Sequence, residues 1–296
     1  MQSALDFFEG LGTLERLGWV LACLAAGQGL GALWPAASHT PEPGRPQIHR
    51  HWRGHWRVNL TLLGTTLAIH SLFGAATVGL FAWVAREEWG LWYWVGGSVG
   101  VRWLMGLALL DLIGQYLAHA LLHHIPALWR LHRVHHSDLH VDATTGTRHH
   151  PLDFAFRETF ALLAILLTGA PMGVYVSYRI LTVLFTYWTH ADLRLPARLE
   201  NVLGWVLVTP AMHKFHHHEQ APWTDKNLGN MLSIWDRLLG TYVKGDPGAI
   251  RYGLDIADPE KSHHVGYQLR LPFLPPHRPR ASEPPAPNPL RGPEAL

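Results

Sequence analysis

The sequence has almost no cysteine, few charged residues and little net charge, and each shortage excludes a class of protein. Cys23 is the one cysteine among 296 residues, so the chain can form neither an intramolecular disulfide nor a thiolate metal site. Charged residues make up 16% and the net charge is +2, which argues against nucleic acid as a partner. The acidic start, with Asp6 and Glu9, lacks the basic region of a cleavable signal. We therefore expect Cys23 to be a transmembrane residue rather than a lipoprotein anchor.

Long apolar blocks separated by polar ones are typical of a polytopic membrane protein. The 14 tryptophans suit a chain with indoles at a bilayer interface. The loop of residues 36–57 carries four arginines, which indicates the cytoplasmic side. We predict three spans, at Leu14–Leu33, Val58–Val84 and Trp92 to about Leu122.

Two further apolar arms, Arg157–Thr168 and Met172–Thr189, are separated by Gly169-Ala170-Pro171, where a turn is favoured. We predict a helical hairpin that enters from the cytoplasm and returns to it, so that every histidine cluster falls on one side of the membrane. From Asp192 onward we expect the chain to be cytoplasmic. The fold class is predicted to be all-α and integral to the membrane, with three spans, a hairpin and a cytoplasmic histidine-rich helical cap.

Helical spacing of apolar residues recurs twice in that last part, around Leu203 and around Trp235. These segments are either interfacial helices that cover the site or amphipathic helices of a soluble cap. We divide the chain into residues 1–90 with the first spans, 91–243 with the histidine motifs, and a C-terminal extension, 244–296. Residues 271–296 hold nine prolines, and we expect this tail to be disordered.

Histidine is the residue in excess, with 22 in all, and 14 of them fall within residues 119–150 and 190–218. An H-x-x-x-H pair, His119 and His123, places two imidazoles one turn apart on one helix face. Two H-x-x-H-H motifs follow, at 132–136 and 213–217. Eight imidazoles are more than one mononuclear site can use as ligands, and they predict two neighbouring metals held by nitrogen. Imidazole ligands alone do not distinguish between Fe, Zn, Cu and Ni.

The remaining histidines are less informative. His124 and His218 lie beside ligands and are either spare or supporting residues, and His70 is interpreted as an interior polar residue of the second span. Asp111, two turns before His119, either orients a metal-bound imidazole or is a salt-bridged structural residue. The following are interpreted as solvated loop residues: His39, His49, His51, His55, His263, His264 and His277.

Residues 90–243 resemble the fatty acid hydroxylase/sterol desaturase superfamily, and the last blocks look most like alkylglycerol monooxygenase and its bacterial relatives. The resemblance is carried by Asp111, Tyr116, HALLH (119–123), HRVHHS (132–137), RHHP (148–151), YWTH (187–190), HKFHH (213–217) and DKNLGNMLSIWDRLLGT (225–241). One branch of the family has a second H-x-x-x-H ending at the position of His190, whereas this chain has Thr186 four residues before it. One ligand must then come from elsewhere, with His149 or His150 as the candidates.

The resemblance implies two non-haem irons that use O2 and two external electrons to hydroxylate or desaturate a lipid or sterol-like substrate arriving from the bilayer. No G-x-G-x-x-G follows a predicted strand, so an external electron-donor protein is expected. Asp111, Asp225 and Asn227 are candidates for supporting the ligands. The expected metal ligands are His119, His123, His132, His135, His136, His190, His213, His216 and His217, with His150 as a weaker tenth.

Two other classes of protein compete with an enzyme. A membrane metal carrier would need a polar path through the bilayer, for which the spans offer only His70, Arg102, Asp111 and Arg179. A haem electron carrier would need paired histidines on facing spans, whereas the histidines here cluster at one end. The expected location is a bacterial inner membrane with the site on its cytoplasmic face.

Overall fold

The computed structural model describes residues 10–36, 52–219, 221–245 and 250–276. Within these ranges the chain is helical, and extended backbone pairs only at two isolated bridges, Pro35–Leu193 and Leu207–Leu232. The all-α prediction is therefore confirmed. The longer helices are α1 (Thr13–Leu33), α2 (Trp52–Arg86), α4 (Val99–Asp111), α6 (Pro126–His136), α7 (Pro151–Thr168) and α8 (Met172–His190). The shorter ones are α3 (Leu91–Trp94), α5 (Ala118–His124), α9 (Ala197–Leu203), α10 (Pro210–His216), α11 (Ile234–Leu238) and α12 (Val265–Arg270).

Three helical stretches are long and apolar enough to cross a membrane, at Thr13–Leu33, Gly54–Trp94 and Val99–His124. The protein is thus an integral membrane protein with the three predicted spans. The third span begins at Val99 rather than at Trp92, because Gly97 adopts a φ of 126° and Ser98 caps the new helix by accepting a hydrogen bond from Val101 N. A π-helical segment, Leu112–Leu117, joins α4 to α5 and carries this span to the histidines.

The hairpin is formed by α7 and α8; α7 packs against α2, and both arms pack against the third span. Its core consists of buried apolar residues from all four, including Phe81, Leu110, Ile165 and Val174. The first arm begins at Pro151 and not at Arg157, because proline is favoured in the first turn and His150 caps it by accepting a hydrogen bond from Leu152 N. Asp153 is therefore a buried helical residue rather than part of a polar loop.

The hairpin turn depends on Gly169, which has a φ of 61° and closes α7. A Cβ at this position would lie 2.1 Å from the carbonyl oxygen of Trp89. We expect Gly169→Ala to lower the free energy of unfolding by about 1–3 kcal/mol through this overlap and the left-handed backbone. Thermal unfolding of the purified protein in detergent measures the change. Gly79→Ala is the matched control, since a Cβ on Gly79 meets nothing within 4 Å, and it should be near neutral.

His55 is not a solvated loop residue, because α2 begins before it and inserts its first turns among residues 138–148. The His55 ring contacts Asp138 through Nδ1 at 2.9 Å, and Asn59 donates to Thr144 Oγ1 at 2.9 Å. Arg148 is fully buried and donates to Asn59 Oδ1 at 3.0 Å. This polar network fixes the segment that precedes His149. His39, His49, His51 and His277 lie outside the described residues.

His70 is not an interior residue, since its side chain is 43% exposed, but its Nδ1 lies 3.1 Å from Glu158 Oε2. Arg179 donates to the same carboxylate at 2.9 Å. Glu158, which sequence analysis did not single out, therefore joins α2, α7 and α8 inside the bundle.

The segment after residue 250 packs onto the histidine-bearing helices. Leu254 and Leu271 share a buried cluster with Val58 and Val134. The expectation of disorder is wrong for residues 271–276, because Arg130 and Arg133 donate to the carbonyl groups of this stretch, and Leu271–Phe273 forms a 3-10 turn. The rest of the proline-rich tail lies outside the described residues.

Two short helices, α9 and α11, expose apolar side chains. Val202 and Leu238 are each 69% exposed, whereas Met231 is buried. The choice between interfacial helices and a soluble cap stays a prediction.

Candidate metal centre

The nine expected histidine ligands are buried and converge at one end of the helical bundle. Helix α5 carries the H-x-x-x-H pair on one face, and Ile125-Pro126 starts α6, which packs back against it. Helix α8 ends at His190, and α10 carries the second H-x-x-H-H motif. Four helices from three separate parts of the sequence thus meet with their imidazoles inward.

The first histidine group contains five residues whose ligand atoms all lie within 4.8 Å of one another. In it, Nε2 of His119 and Nε2 of His132 are 3.0 Å apart. Metal–nitrogen bonds of about 2.1 Å at right angles separate two ligand nitrogens by about 3.0 Å. The spacing therefore matches adjacent positions around one ion. The group consists of His119, His123, His132, His136 and His216.

The second histidine group contains four residues within the same mutual distance, namely His135, His190, His213 and His217. The Nε2 atom of His190 lies 3.2 Å from that of His135, 3.0 Å from that of His213 and 3.2 Å from that of His217. Lone pairs that face each other at this distance repel unless a proton or a cation lies between them. A metal ion bound by these four nitrogens would remove the repulsion, so this group also suits a metal.

The two groups adjoin, and the adjacent histidines of each H-x-x-H-H motif separate them. His135 belongs to the second group and His136 to the first, whereas His216 belongs to the first and His217 to the second. The rings of His136 and His217 stack across the boundary with centroids 4.7 Å apart. Each motif thus contributes ligands to both positions, which explains why the histidines occur as adjacent pairs.

The outer nitrogens of five imidazoles are held by oxygen acceptors, which fixes the ring orientation and directs Nε2 inward. Two of these acceptors are carboxylates, since Nδ1 of His132 lies 2.9 Å from Asp153 Oδ2 and Nδ1 of His123 lies 3.2 Å from Asp225 Oδ1. The other three are backbone carbonyl groups, reached by His119 at 2.7 Å (Leu228), His190 at 2.7 Å (Thr186) and His216 at 2.8 Å (Lys226).

Several inward nitrogens fit a metal because nothing else satisfies them. Within the described ranges, Nε2 of His123, His136 and His216 is buried and makes no hydrogen bond. An unsatisfied buried polar atom costs about 1–3 kcal/mol, which coordination would offset. A metal ligand must also be neutral. Burial lowers the pKa of His132 to about 3 and holds the pKa values of His135, His136, His213, His216 and His217 well below the usual range, with neighbouring histidines lowering them further.

The candidate supporting residues divide into two kinds. Asp225 contacts a ligand directly, as given above, whereas Asp111 accepts hydrogen bonds from Leu232 N at 3.2 Å and Trp235 Nε1 at 2.9 Å. Asn227 bridges the carbonyl groups of Met212 and Val243 through Nδ2. Asp111 and Asn227 therefore anchor the 227–236 segment, whose Leu228 carbonyl holds His119.

Asp153 is the contributor that sequence analysis missed. It is fully buried, and its Oδ2 faces both His132 and His149 while its Oδ1 accepts from Arg157 Nε at 3.0 Å. The available signal was its position shortly after His149, in the first turn of a helix that begins with proline, where an acidic residue is favoured.

The structure brings His149 to the cluster and leaves His150 outside it. The His149 ring stacks on His135 with centroids 4.7 Å apart, and His149 forms a third potential metal-binding set with His132 and Asp153. The His150 ring instead caps α7 and lies 3.3 Å from the Leu269 carbonyl oxygen. His124 is exposed, and neither it nor His218 belongs to a histidine group.

Comparing these two adjacent residues gives a matched prediction. We expect His149→Ala to reduce metal affinity about tenfold, since partners of metal ligands change affinity by roughly 10–100-fold. We expect His150→Ala to lower stability by about 1 kcal/mol through the lost cap and to leave metal affinity unchanged. Metal titration and thermal unfolding of both variants measure these effects. A larger loss of affinity in His150→Ala would contradict the assignment.

Membrane-spanning helices place nine buried histidines together at one end of the bundle, an arrangement that could hold metal ions in a membrane protein. Residues 103–241, just under half of the chain, match the fatty acid hydroxylase family model. The resemblance to the fatty acid hydroxylase/sterol desaturase superfamily is thereby confirmed, and the match lies inside the predicted region 91–243.

The relatives include lipid-modifying enzymes from bacteria and animals. Ornithine lipid hydroxylase OlsE of Rhizobium tropici is 31% identical over 47% of this chain and 41% of its own length. Alkylglycerol monooxygenase is 30% identical in Danio rerio, over 51% of this chain and 33% of its own, and 27% identical in Homo sapiens, over 55% and 33%. The chain thus spans less than half the length of these relatives. No solved structure matches it.

Proposed function

We propose that this protein is a membrane-bound oxidoreductase that uses O2 to hydroxylate a C–H bond of a lipid, with two non-haem irons as its cofactor. The observation that carries the proposal is the pair of adjoining histidine groups with five and four buried imidazoles. The family match and the names of the relatives, a lipid hydroxylase and monooxygenases, favour iron over other metals that imidazole binds.

The first group would hold one iron and the second group the other. Sets of five and four nitrogen ligands leave coordination positions free, and iron bound there would supply the activation of O2. The roles of this chain are to orient the ligands through Asp153, Asp225 and the backbone carbonyl groups, and to keep water away. Trp129 contributes to that exclusion, with its ring centroid 5.0 Å from the His123 ring and 5.3 Å from the His136 ring.

The overall reaction balances with an external reductant. One oxygen atom of O2 enters the C–H bond as a hydroxyl group, and the other leaves as water. This requires two electrons, which we assign to a separate electron-donor protein, and two protons, which come from water. Desaturation uses the same reactants and yields a carbon–carbon double bond and two waters, and it remains the alternative outcome at the same site.

The substrate is proposed to be a lipid or sterol-like molecule that enters from the bilayer. The ligands cluster where the third span and the hairpin end, so an apolar tail can approach from the membrane while its polar head stays at the interface. The basic loop of residues 36–57 favours a cytoplasmic site in a bacterial inner membrane.

The two competing classes find less support. A haem group needs an open plane between two ligands, whereas five ligand atoms within 4.8 Å of one another leave no space for a macrocycle. A metal carrier releases its cargo, whereas these imidazoles are held in place by carboxylate and carbonyl partners.

Lipid analysis of a host that produces the protein tests the proposed activity. Cells with the wild type and a suitable electron donor should accumulate a lipid heavier by one oxygen atom, or lighter by two hydrogens if the reaction is desaturation. Cells with His135→Ala should lack this product, because His135 belongs to the second group. Identical lipid profiles, with iron-loaded wild type present in the membrane, would contradict lipid oxidation.

A further inference from the structure

A basic cleft lies beside α2, outside the region that matches the family model. It has a volume of about 580 Å³ and is lined on one side by Arg57 and on the other by residues 261–274. A cleft of this size suits a small ligand or a lipid headgroup. Its lining is rich in basic side chains and imidazoles, contributed by Arg57, Lys261, His263, His264 and Arg270.

The charges of this cleft are not balanced by its own lining. Among the residues that the structure describes, no carboxylate lines it. Lys261 is paired with Asp258 at 2.7 Å, which leaves Arg57 and Arg270 as two exposed guanidinium groups facing one space. Guanidinium groups bind phosphate oxygens in a fork geometry that ammonium groups cannot match. The lining of the cleft therefore suits an anion with several oxygens.

The position of the cleft indicates that the anion belongs to a membrane lipid. Arg57 lies at the start of a membrane-spanning stretch, Gly54–Trp94, at the end where the basic loop joins it. The opposite wall is tied to the histidine side of the bundle, because Arg148 donates to the Ser262 carbonyl at 2.7 Å and Ser137 donates to Gln268 at 2.9 Å. Headgroup phosphates of a bilayer lie at the ends of spans, where each basic residue contributes about 1 kcal/mol of attraction.

We infer that this cleft binds the phosphate of an anionic phospholipid headgroup, with Arg57 and Arg270 as its principal contacts. The bound lipid would lie on the same side of the membrane as the metal centre. This inference does not depend on the proposed oxidation, because binding is measured without turnover.

Binding of phosphatidylglycerol and phosphatidylcholine to the full-length protein in detergent micelles tests the inference, for example by native mass spectrometry. We expect the wild type to prefer phosphatidylglycerol. Arg57→Gln or Arg270→Gln should weaken phosphatidylglycerol binding about fivefold, and the double variant about thirtyfold. Arg86→Gln is the matched control, since it removes an exposed arginine at the other end of α2 and should change nothing.

Three results would overturn the inference. These are equal affinities of the double variant and the control, equal affinities of the wild type for the two lipids, and displacement of the lipid by millimolar inorganic phosphate, which would indicate a free-phosphate site. If the double variant does not retain its metal, it is not correctly folded, and the test then uses the salt dependence of lipid binding to the wild type. Raising the salt concentration should then weaken phosphatidylglycerol binding but not phosphatidylcholine binding, and equal salt responses would overturn the inference.

Discussion

His123→Ala is expected to abolish lipid oxidation, whereas His124→Ala is expected to leave it unchanged. The two residues are adjacent in α5 and chemically identical, yet their surroundings differ. His123 is buried in the first histidine group, and among the described residues its Nε2 finds no hydrogen-bond partner. His124 is exposed, and its Nδ1 donates to the Ala120 carbonyl of the same helix at 2.8 Å. The pair therefore separates ligation from the general effect of removing an imidazole.

The loss of activity in His123→Ala should be at least about 100-fold. Substituting residues that only contact a metal ligand already changes metal affinity or activity by about 10–100-fold. Product formation in membranes and iron content after purification measure the effect together. We expect His123→Ala to lose iron from the first group, because four imidazoles remain there instead of five. Comparable activities in the two variants would show that His123 is not a ligand.

Asp153→Asn is expected to lower iron affinity and activity about 100-fold, although Asp153 is not assigned as an iron ligand. Its carboxylate is fully buried and faces three groups, namely His132 at 2.9 Å, His149 at 3.3 Å and Arg157 at 3.0 Å. Asparagine preserves the volume but presents an amide N–H where one of these groups needs an acceptor. It also leaves Arg157 without its buried counter-charge, which is costly in a low-dielectric interior.

Asp225→Asn provides the comparison, and we expect a loss of about tenfold or less. The Asp225 side chain is 36% exposed and faces one ligand, His123, at 3.2 Å. Water can replace the Asp225 carboxylate as a hydrogen-bond acceptor for His123, whereas water cannot reach the buried site of Asp153. Iron titrations of the two variants under anaerobic conditions measure the ratio. An equal or larger effect at Asp225 would mean that the carboxylate network is organised differently from the one described here.

The convergence of the nine candidate ligands was predictable from sequence because their spacing is local. The H-x-x-x-H and H-x-x-H-H intervals place imidazoles on one helix face whatever lies around them, and Gly169-Ala170-Pro171 marks the turn that returns His190 to the same end. The division of His135 from His136 between two groups was not predictable. It depends on how α6 packs against α5 and α10, which spacing within a motif does not determine.

The supporting residues were harder to predict because their contacts are remote in sequence. His55 reaches Asp138 across 83 residues, and Arg133 reaches Leu274 across 141. The contacts of the Leu228 and Lys226 carbonyl groups could not be predicted from the side chains, since every residue has the same backbone oxygen. Proline content suggested disorder from residue 271 onward, but Arg130 and the buried Arg133 donate hydrogen bonds to carbonyl groups in the first part of that stretch.

Metal content of anaerobically purified protein, combined with Mössbauer and optical spectra, tests the central claim most directly. Two adjoining histidine groups predict about two irons per chain for the wild type, with spectra of nitrogen-ligated, non-haem iron. His123→Ala and His190→Ala, one from each group, should each lower the iron content towards one per chain. One iron or fewer in the wild type, or the absorption band of a haem, would contradict the account.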